Sequence, residues 1–188
     1  MRIVAGKHRG RTIDAPPGTA VRPTSARARE ALFDVLAHGR FAEQDCCRDA
    51  IVLDAFAGTG AFGLEALSRG ARYVSFLEKD RAARNILEQN VAKLGETRQC
   101  AILSGDATRP PRAASPANLA FLDPPYRENL AAPALKGLMQ SGWFAPDALV
   151  VAELAALDEL DLPDGFTFLE ERKYGAAKFL FLRYLDER

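Results

Sequence analysis

The sequence predicts an α/β fold: a mostly parallel, seven-stranded sheet with helices on both faces. Three observations predict it. From residue 50 onward, short apolar runs alternate with amphipathic helical stretches, the pattern of repeated βα units. Gly58-Thr59-Gly60 joins the first of those runs to a helix. Near the C-terminus, two longer alternating stretches flank Gly175-Ala-Ala and read as a closing antiparallel hairpin.

The elements follow in order. Arg2–Ala5 and Arg11–Asp14 flank Gly6-Lys7-His8-Arg9-Gly10, so the chain opens on a predicted small β-hairpin. Ala15-Pro-Pro-Gly18 breaks it. Thr24 or Ser25 can cap a helix carrying Ala28, Ala31, Leu32, Val35 and Leu36, ended by Gly39. Ile51-Val-Leu53 is the first strand, and Gly60–Arg69 a helix closed by Gly70. Tyr73–Leu77 is the second strand. Arg81–Leu94 is a helix with Ala83, Ile86, Leu87, Val91 and Leu94 on one face, closed by Gly95. Cys100–Leu103 and Asn118–Leu122 are the next two strands. Arg109–Pro116, between them, is an exposed loop. Pro133 suits the first position of a helix reaching about Gln140. Ala148–Ala152 is the fifth strand, and Phe166–Tyr174 with Lys178–Leu185 forms the final hairpin.

Composition narrows the class. The 188 residues are 48% hydrophobic and 27% charged, ample for one core and against a disordered chain. No apolar run approaches the ~20 residues of a membrane span. Met1–Gly10 shows no signal-peptide pattern, so a cytoplasmic protein is expected. Cys46, Cys47 and Cys100 fit neither a disulfide framework nor a metal site, and no metal is expected. Net charge is zero, yet residues 1–40 hold eight Lys/Arg against three acids. That surplus of five suggests a basic extension over 1–40, fitted to a polyanion, on a body over 41–188.

Four acids stand at four successive strand ends: Asp54, Glu78, Asp106 and Asp123. In open α/β sheets ligands bind outside the carboxyl ends of the strands, so all four are predicted to face one crevice. Asp54-Ala-Phe-Ala57-Gly58-Thr59-Gly60-Ala-Phe-Gly63 contains the G-x-G-x-x-G spacing that lets backbone approach a ligand. Glu78, twenty residues after Gly58, is placed to accept from ribose hydroxyls. The glycines alone do not separate NAD, FAD and S-adenosylmethionine. Asp54 shifts the choice: a carboxylate beside the helix start opposes a pyrophosphate and favours an ammonium or sulfonium, although it could equally hydrogen-bond the loop amides. Asp106-Ala107 is placed to accept from an adenine amino group.

Asp123-Pro124-Pro125-Tyr126 is the most specific signal. Two prolines remove two donors and commit nearby carbonyls as acceptors, Asp123 adds a carboxylate, and Tyr126 offers a stacking face. Such a loop can hold an exocyclic amine by its two N–H groups and direct its lone pair at an incoming methyl.

Asp-Pro-Pro-Tyr after the fourth strand resembles the amino-group methyltransferases that use S-adenosylmethionine. A closer resemblance covers nearly the whole chain. Arg2–Arg11, Arg22-Pro-Thr24 with Arg27-Ala-Arg29-Glu30-Ala-Leu-Phe33, and Asp54–Gly70 are similar to the bacterial small-subunit ribosomal RNA guanine-N2 methyltransferase family. That resemblance implies a Rossmann-like class I methyltransferase domain with an N-terminal hairpin extension. It implies S-adenosylmethionine as cofactor and 16S ribosomal RNA as partner, naked or within an assembling small subunit. Lys7, Arg9, Arg11, Arg22, Arg27 and Arg29 become candidate RNA contacts, and a monomer is expected. Asp34 departs from the Asn expected after Leu-Phe, and Arg109–Pro116 is richer in proline than expected. An adenine-N6 methyltransferase would share Asp-Pro-Pro-Tyr. A dehydrogenase would share only the glycines, and a non-catalytic RNA-binding module only the basic extension.

Overall fold

The computed structural model describes residues 1–15, 26–38, 41, 45–126 and 128–186. Seven strands form one sheet: β1 (Ile51–Ala55), β2 (Tyr73–Glu78), β3 (Cys100–Ser104), β4 (Ala117–Leu122), β5 (Phe144–Ala155), β6 (Phe166–Tyr174) and β7 (Ala177–Tyr184). The helices are α1 (Ala26–His38), α2 (Ala61–Ser68), α3 (Arg81–Leu94) and α4 (Ala131–Gln140). The strand order is β3-β2-β1-β4-β5-β7-β6. The first five in that order run parallel, and β7 and β6 turn antiparallel at the edge. This is the predicted α/β architecture with its C-terminal hairpin.

Alternate residues of each strand feed opposite cores, as a sheet covered on both faces requires. Val52, Phe76, Phe121 and Phe179 join one buried cluster with α1, α2 and α3. Leu53, Leu77, Leu122 and Leu182 join the other with α4 and Trp143. Trp143 Nε1 donates to the Pro111 carbonyl at 2.8 Å, so the proline-rich loop over 109–116 is tethered although exposed.

The helix ends follow their local chemistry. Asp80 caps α3, its side chain accepting from Ala83 N at 2.7 Å, and Gly95 ends it at φ 79°. Helix α4 begins two residues earlier than expected, which puts Pro133 third rather than first. Proline is tolerated there because first-turn N–H groups have no helical acceptor. The predicted cap at Thr24 or Ser25 lies outside the described residues.

The N-terminal hairpin is looser than expected. It keeps one bridge, Arg2 with Thr12, around a 3-10 turn at Gly6–His8. Bonds from Ile3 N to Arg11 O at 2.9 Å and from Ile13 N to Met1 O at 2.7 Å join its two sides, while Val4 N and Ala5 N donate outward to the buried Glu65 carboxylate of α2 at 2.8 and 3.0 Å. A Cβ on Gly6 would overlap the Ser68 carbonyl, so this turn lies flush on α2. Ile3 and Ile13 are buried in the same cluster as α1 and α2.

Candidate active site

Strands β3, β2, β1 and β4 lie side by side, so the predicted acids fall along one edge in the order Asp106, Glu78, Asp54, Asp123. Between β1 and α2 the chain turns through left-handed backbone at Phe56, Gly58 and Gly60, with φ of 61°, 54° and 87°. For Phe56 this is an uncommon and costly conformation, held by the loop around it. A Cβ on Gly60 would strike Leu87, and one on Gly63 would strike Phe76, so these glycines let α2 and α3 close on the sheet.

Glu78 organises that loop. Its Oε2 accepts from Gly58 N and its Oε1 from Asp80 N, both at 2.7 Å. Each oxygen keeps a lone pair that two hydroxyl donors can use. Asp54 is buried, and its Oδ2 accepts from Gly63 N at 2.8 Å. Burial pushes its carboxyl up from the ordinary 3.8 to about 8, with the Gly63 N–H opposing and the charge of Glu78 adding to the rise. Asp106 differs: the Thr108 amide and hydroxyl both donate to its Oδ1 and hold it below the usual carboxylate range. Ala57 and Ala107 are buried beside the loop, and the Thr59 carbonyl accepts from Asn90 Nδ2 at 3.0 Å.

The Asp123-Pro-Pro-Tyr126 loop leaves the end of β4. Asp123 is pushed well above its ordinary range by burial, by Glu153 and by Asp54. Pro124 is buried, Pro125 exposed and Tyr126 half-buried. The three line a cleft of about 310 Å³ with Leu130, Leu154 and Leu160. Tyr126 Oη donates to Glu153 Oε1 of β5 at 2.6 Å.

Among the described residues, Asp54, Glu78 and Asp123 have no ion pair with Lys or Arg. Buried and crowded in this way, Asp54 and Asp123 resist ionisation, and a cationic ligand relieves them while a phosphate aggravates them. Bare backbone at Gly58–Gly60, two hydroxyl acceptors on Glu78 and an unneutralised acid cluster fit a nucleoside carrying ammonium and sulfonium groups. The cysteines offer no nucleophile, since burial raises the thiols of Cys46, Cys47 and Cys100.

The predicted RNA residues separate. Arg9, Arg11 and Arg27 are exposed. Lys7 pairs with Glu96 at 2.8 Å. Arg29 is sealed at 1% exposure, its guanidinium donating to the Arg2 carbonyl, so it holds the N-terminal segment and reaches no external ligand. Arg22 lies outside the described residues. Sequence reasoning missed Glu65, Glu96 and Glu153. Only Glu153 had a usable signal: it continues the apolar run of β5 one residue past its predicted end at Ala152.

The family described as conserved hypothetical protein 95 matches residues 1–183. The chain belongs to this family. It is 35% identical over 183 residues to ribosomal RNA small subunit methyltransferase D of Haemophilus influenzae, covering 95% of this chain and 91% of that one. It is 38% identical over 153 residues to the Escherichia coli K12 protein of the same name, covering 81% and 74%. An Escherichia coli structure described as a candidate methyltransferase superposes with a TM-score of 0.82 at 33% identity, over 98% of each chain. An RNA methyltransferase of Salinibacter ruber, solved with S-adenosyl-L-homocysteine, shares the fold at a TM-score of 0.66 and 13% identity, over 88% and 95%.

Proposed function

We propose that the chain transfers a methyl group from S-adenosylmethionine to the exocyclic N2 amine of a guanine in 16S ribosomal RNA. The observation that carries this is the Asp123-Pro-Pro-Tyr126 loop standing beside the Glu78-bound glycine loop, in a chain whose relatives are named for small-subunit ribosomal RNA methylation. When bound, the cofactor supplies an electrophilic methyl on a sulfonium. Gly58–Gly60, Glu78 and Asp106 hold its nucleoside, and Asp54, which accepts from Gly63 N, holds the first turn of α2 beside that loop.

The chain's own residues do the rest by positioning. Asp123 and the proline-committed carbonyls accept the two N–H groups of the amine and aim its lone pair. Tyr126 stacks the base, which is turned out of the RNA to reach a recessed loop. The nitrogen gains positive charge as it attacks, and the Asp123 carboxylate stabilises that charge most in the transition state. The spent nitrogen's proton is then strongly acidic, so no dedicated base is required. Exposed Arg9, Arg11 and Arg27 grip phosphates of the RNA, naked or in an assembling subunit, in the cytoplasm. The enzyme works as a monomer, with residues 1–40 as its RNA-facing extension.

Tritium transfer from labelled cofactor to 16S RNA, small subunits and duplex DNA tests the reading. The label should enter ribosomal RNA and appear as N2-methylguanine. N6-methyladenine would move the chain to the adenine methyltransferases. Asp123→Ala should lower the single-turnover rate at saturating RNA by about 10²-fold or more. A full rate in a folded variant would remove Asp123 from the transfer step.

A further inference from the structure

Glu153 is a carboxylate 2% exposed in an otherwise apolar stretch of β5. Such a burial is costly without strong donors. Its Oε1 receives the Tyr126 hydroxyl at 2.6 Å, within the range of a charge-assisted O–H···O⁻ bond. The register pairs Leu122 of β4 with Ala152 of β5, so Glu153 and Asp123 follow at neighbouring strand positions. Asp123, Tyr126 and Glu153 therefore meet at one corner, with Asp54 of β1 as the next acid along. Proline rings fix the backbone φ at Pro124 and Pro125 but leave the next side chain free to turn. The hydroxyl bond restrains that turn, and Tyr126 lines the cleft beside Pro124 and Pro125.

We infer that Glu153 is a positioning residue for the transfer: by holding the Tyr126 hydroxyl it sets the plane on which the target base stacks, and so aligns the amine with Asp123. This role rests on the proposed methyl transfer. It assigns the Tyr126 hydroxyl a function beyond the stacking face of the ring. It also assigns the buried charge of β5 a task that a structural carboxylate would lack.

The test uses the full chain with Glu153→Gln, Tyr126→Phe and the double variant, in single-turnover methylation of 16S RNA. Each single variant should slow the transfer about tenfold, since small misalignments of reacting groups cost that much or more. The double variant should be no slower than the slower single, because Glu153→Gln weakens, by removing the charge on its acceptor, the same bond that Tyr126→Phe removes. RNA and cofactor dissociation constants should stay within about twofold of wild type, placing the loss in the rate step.

A pH series adds a readout that a merely structural role would not move. Among the described residues, the charges acting on Asp123 are those of Glu153 on β5 and Asp54 on β1. Replacing Glu153 by Gln removes a negative charge beside Asp123 and lets it ionise at lower pH. The acid limb of the rate profile should therefore move to lower pH in Glu153→Gln and stay in place in Tyr126→Phe. Rates within about twofold of wild type in folded variants, multiplicative losses in the double, or an unmoved acid limb would each overturn the role. Should Glu153→Gln not fold, Tyr126→Phe decides: a wild-type rate refutes the role. Wild-type inactivity on 16S RNA would instead overturn the proposed activity itself.

Discussion

At the N-terminal segment, Lys7 and His8 close on Glu96, Lys93 reaches Asp14, and Arg29 is sealed behind Arg2. At the carboxyl edge of the sheet, Asp54, Glu78 and Asp123 stand together with no cation between them among the described residues. The two regions look alike in the sequence, each a cluster of one sign of charge. Folding treats them oppositely. In the basic segment Lys7 and His8 are committed to Glu96 of the body, with burial pushing Glu96 up and the His8 and Lys7 bonds outweighing it to hold that carboxyl low. The acidic edge is left without a cation among the described residues, and Asp54 and Asp123 are driven up. A charge meant for structure meets its partner in the fold, whereas one meant for a ligand is held without one.

The largest test of this contrast is on the structural side. Glu65 is 0% exposed and accepts from Val4 N, Ala5 N and Arg69 Nε. Removing it strands two amides and a nearly buried guanidinium, so Glu65→Ala should cost about 3–5 kcal/mol in urea unfolding. A loss below ~1 kcal/mol would mean that the segment is held by Ile3 and Ile13 alone.

On the ligand side, Glu78→Ala should weaken cofactor binding by about 1–3 kcal/mol in calorimetry. Glu78→Gln should do nearly as badly. Both carboxylate oxygens accept backbone N–H groups, and an amide would turn its NH₂ toward Gly58 or Asp80. Unchanged affinity in either variant would remove Glu78 from the cofactor site.

Asp54 gives a subtler effect, in the pH dependence of stability. Its folded pKa is raised from 3.8 to about 8, so across that interval the folded chain holds a proton that the unfolded chain has released. Stability from this group is therefore full below the lower value and declines as pH rises toward the upper one. Asp54→Asn keeps an acceptor for Gly63 N and cannot ionise. Its stability should fall less steeply than wild type between those pH values. Parallel curves would show that Asp54 ionises normally in the folded chain.

The strand-end acids were legible because a fold rule places them: a βα pattern alone puts Asp54, Glu78, Asp106 and Asp123 on one edge. Residue type and spacing carried that much. Glu65 and Glu96 were not legible, because each is defined by a partner far away in the chain. Glu65 binds residues 60 and 61 positions off, and Glu96 one 88 positions off. Periodicity marks Glu65 only as a position in a helix and carries no sign that two foreign amides will need it. The same limit misread Arg29. In the sequence it is one of several arginines on a basic helix, and only the approach of Met1 and Arg2 makes it structural.

The smallest expected effect separates arginines that the sequence could not. Arg9 and Arg27 are exposed, and no hydrogen bond or ion pair is seen from either side chain to a described residue. Lys7 is already committed to Glu96 and Gln99. A phosphate contact releases counterions only where the cation is not neutralised from within, so Arg9 and Arg27 should carry the salt dependence of RNA binding. Each phosphate contact contributes roughly 0.7–0.9 to the slope of log affinity against log salt. Arg9→Ala with Arg27→Ala should therefore flatten that slope by about 1.5 in filter binding, with cofactor affinity unchanged. Lys7→Ala should change it less, because losing the lysine also frees Glu96 to repel the RNA backbone weakly rather than removing a free cation. Arg29→Met should leave the slope alone and lower stability instead. If the double arginine variant kept the wild-type slope, the exposed charges would be a solvated cover and the RNA would dock elsewhere. If Lys7→Ala flattened the slope more than the arginine pair, the intramolecular pairing with Glu96 would not be what sorts these cations.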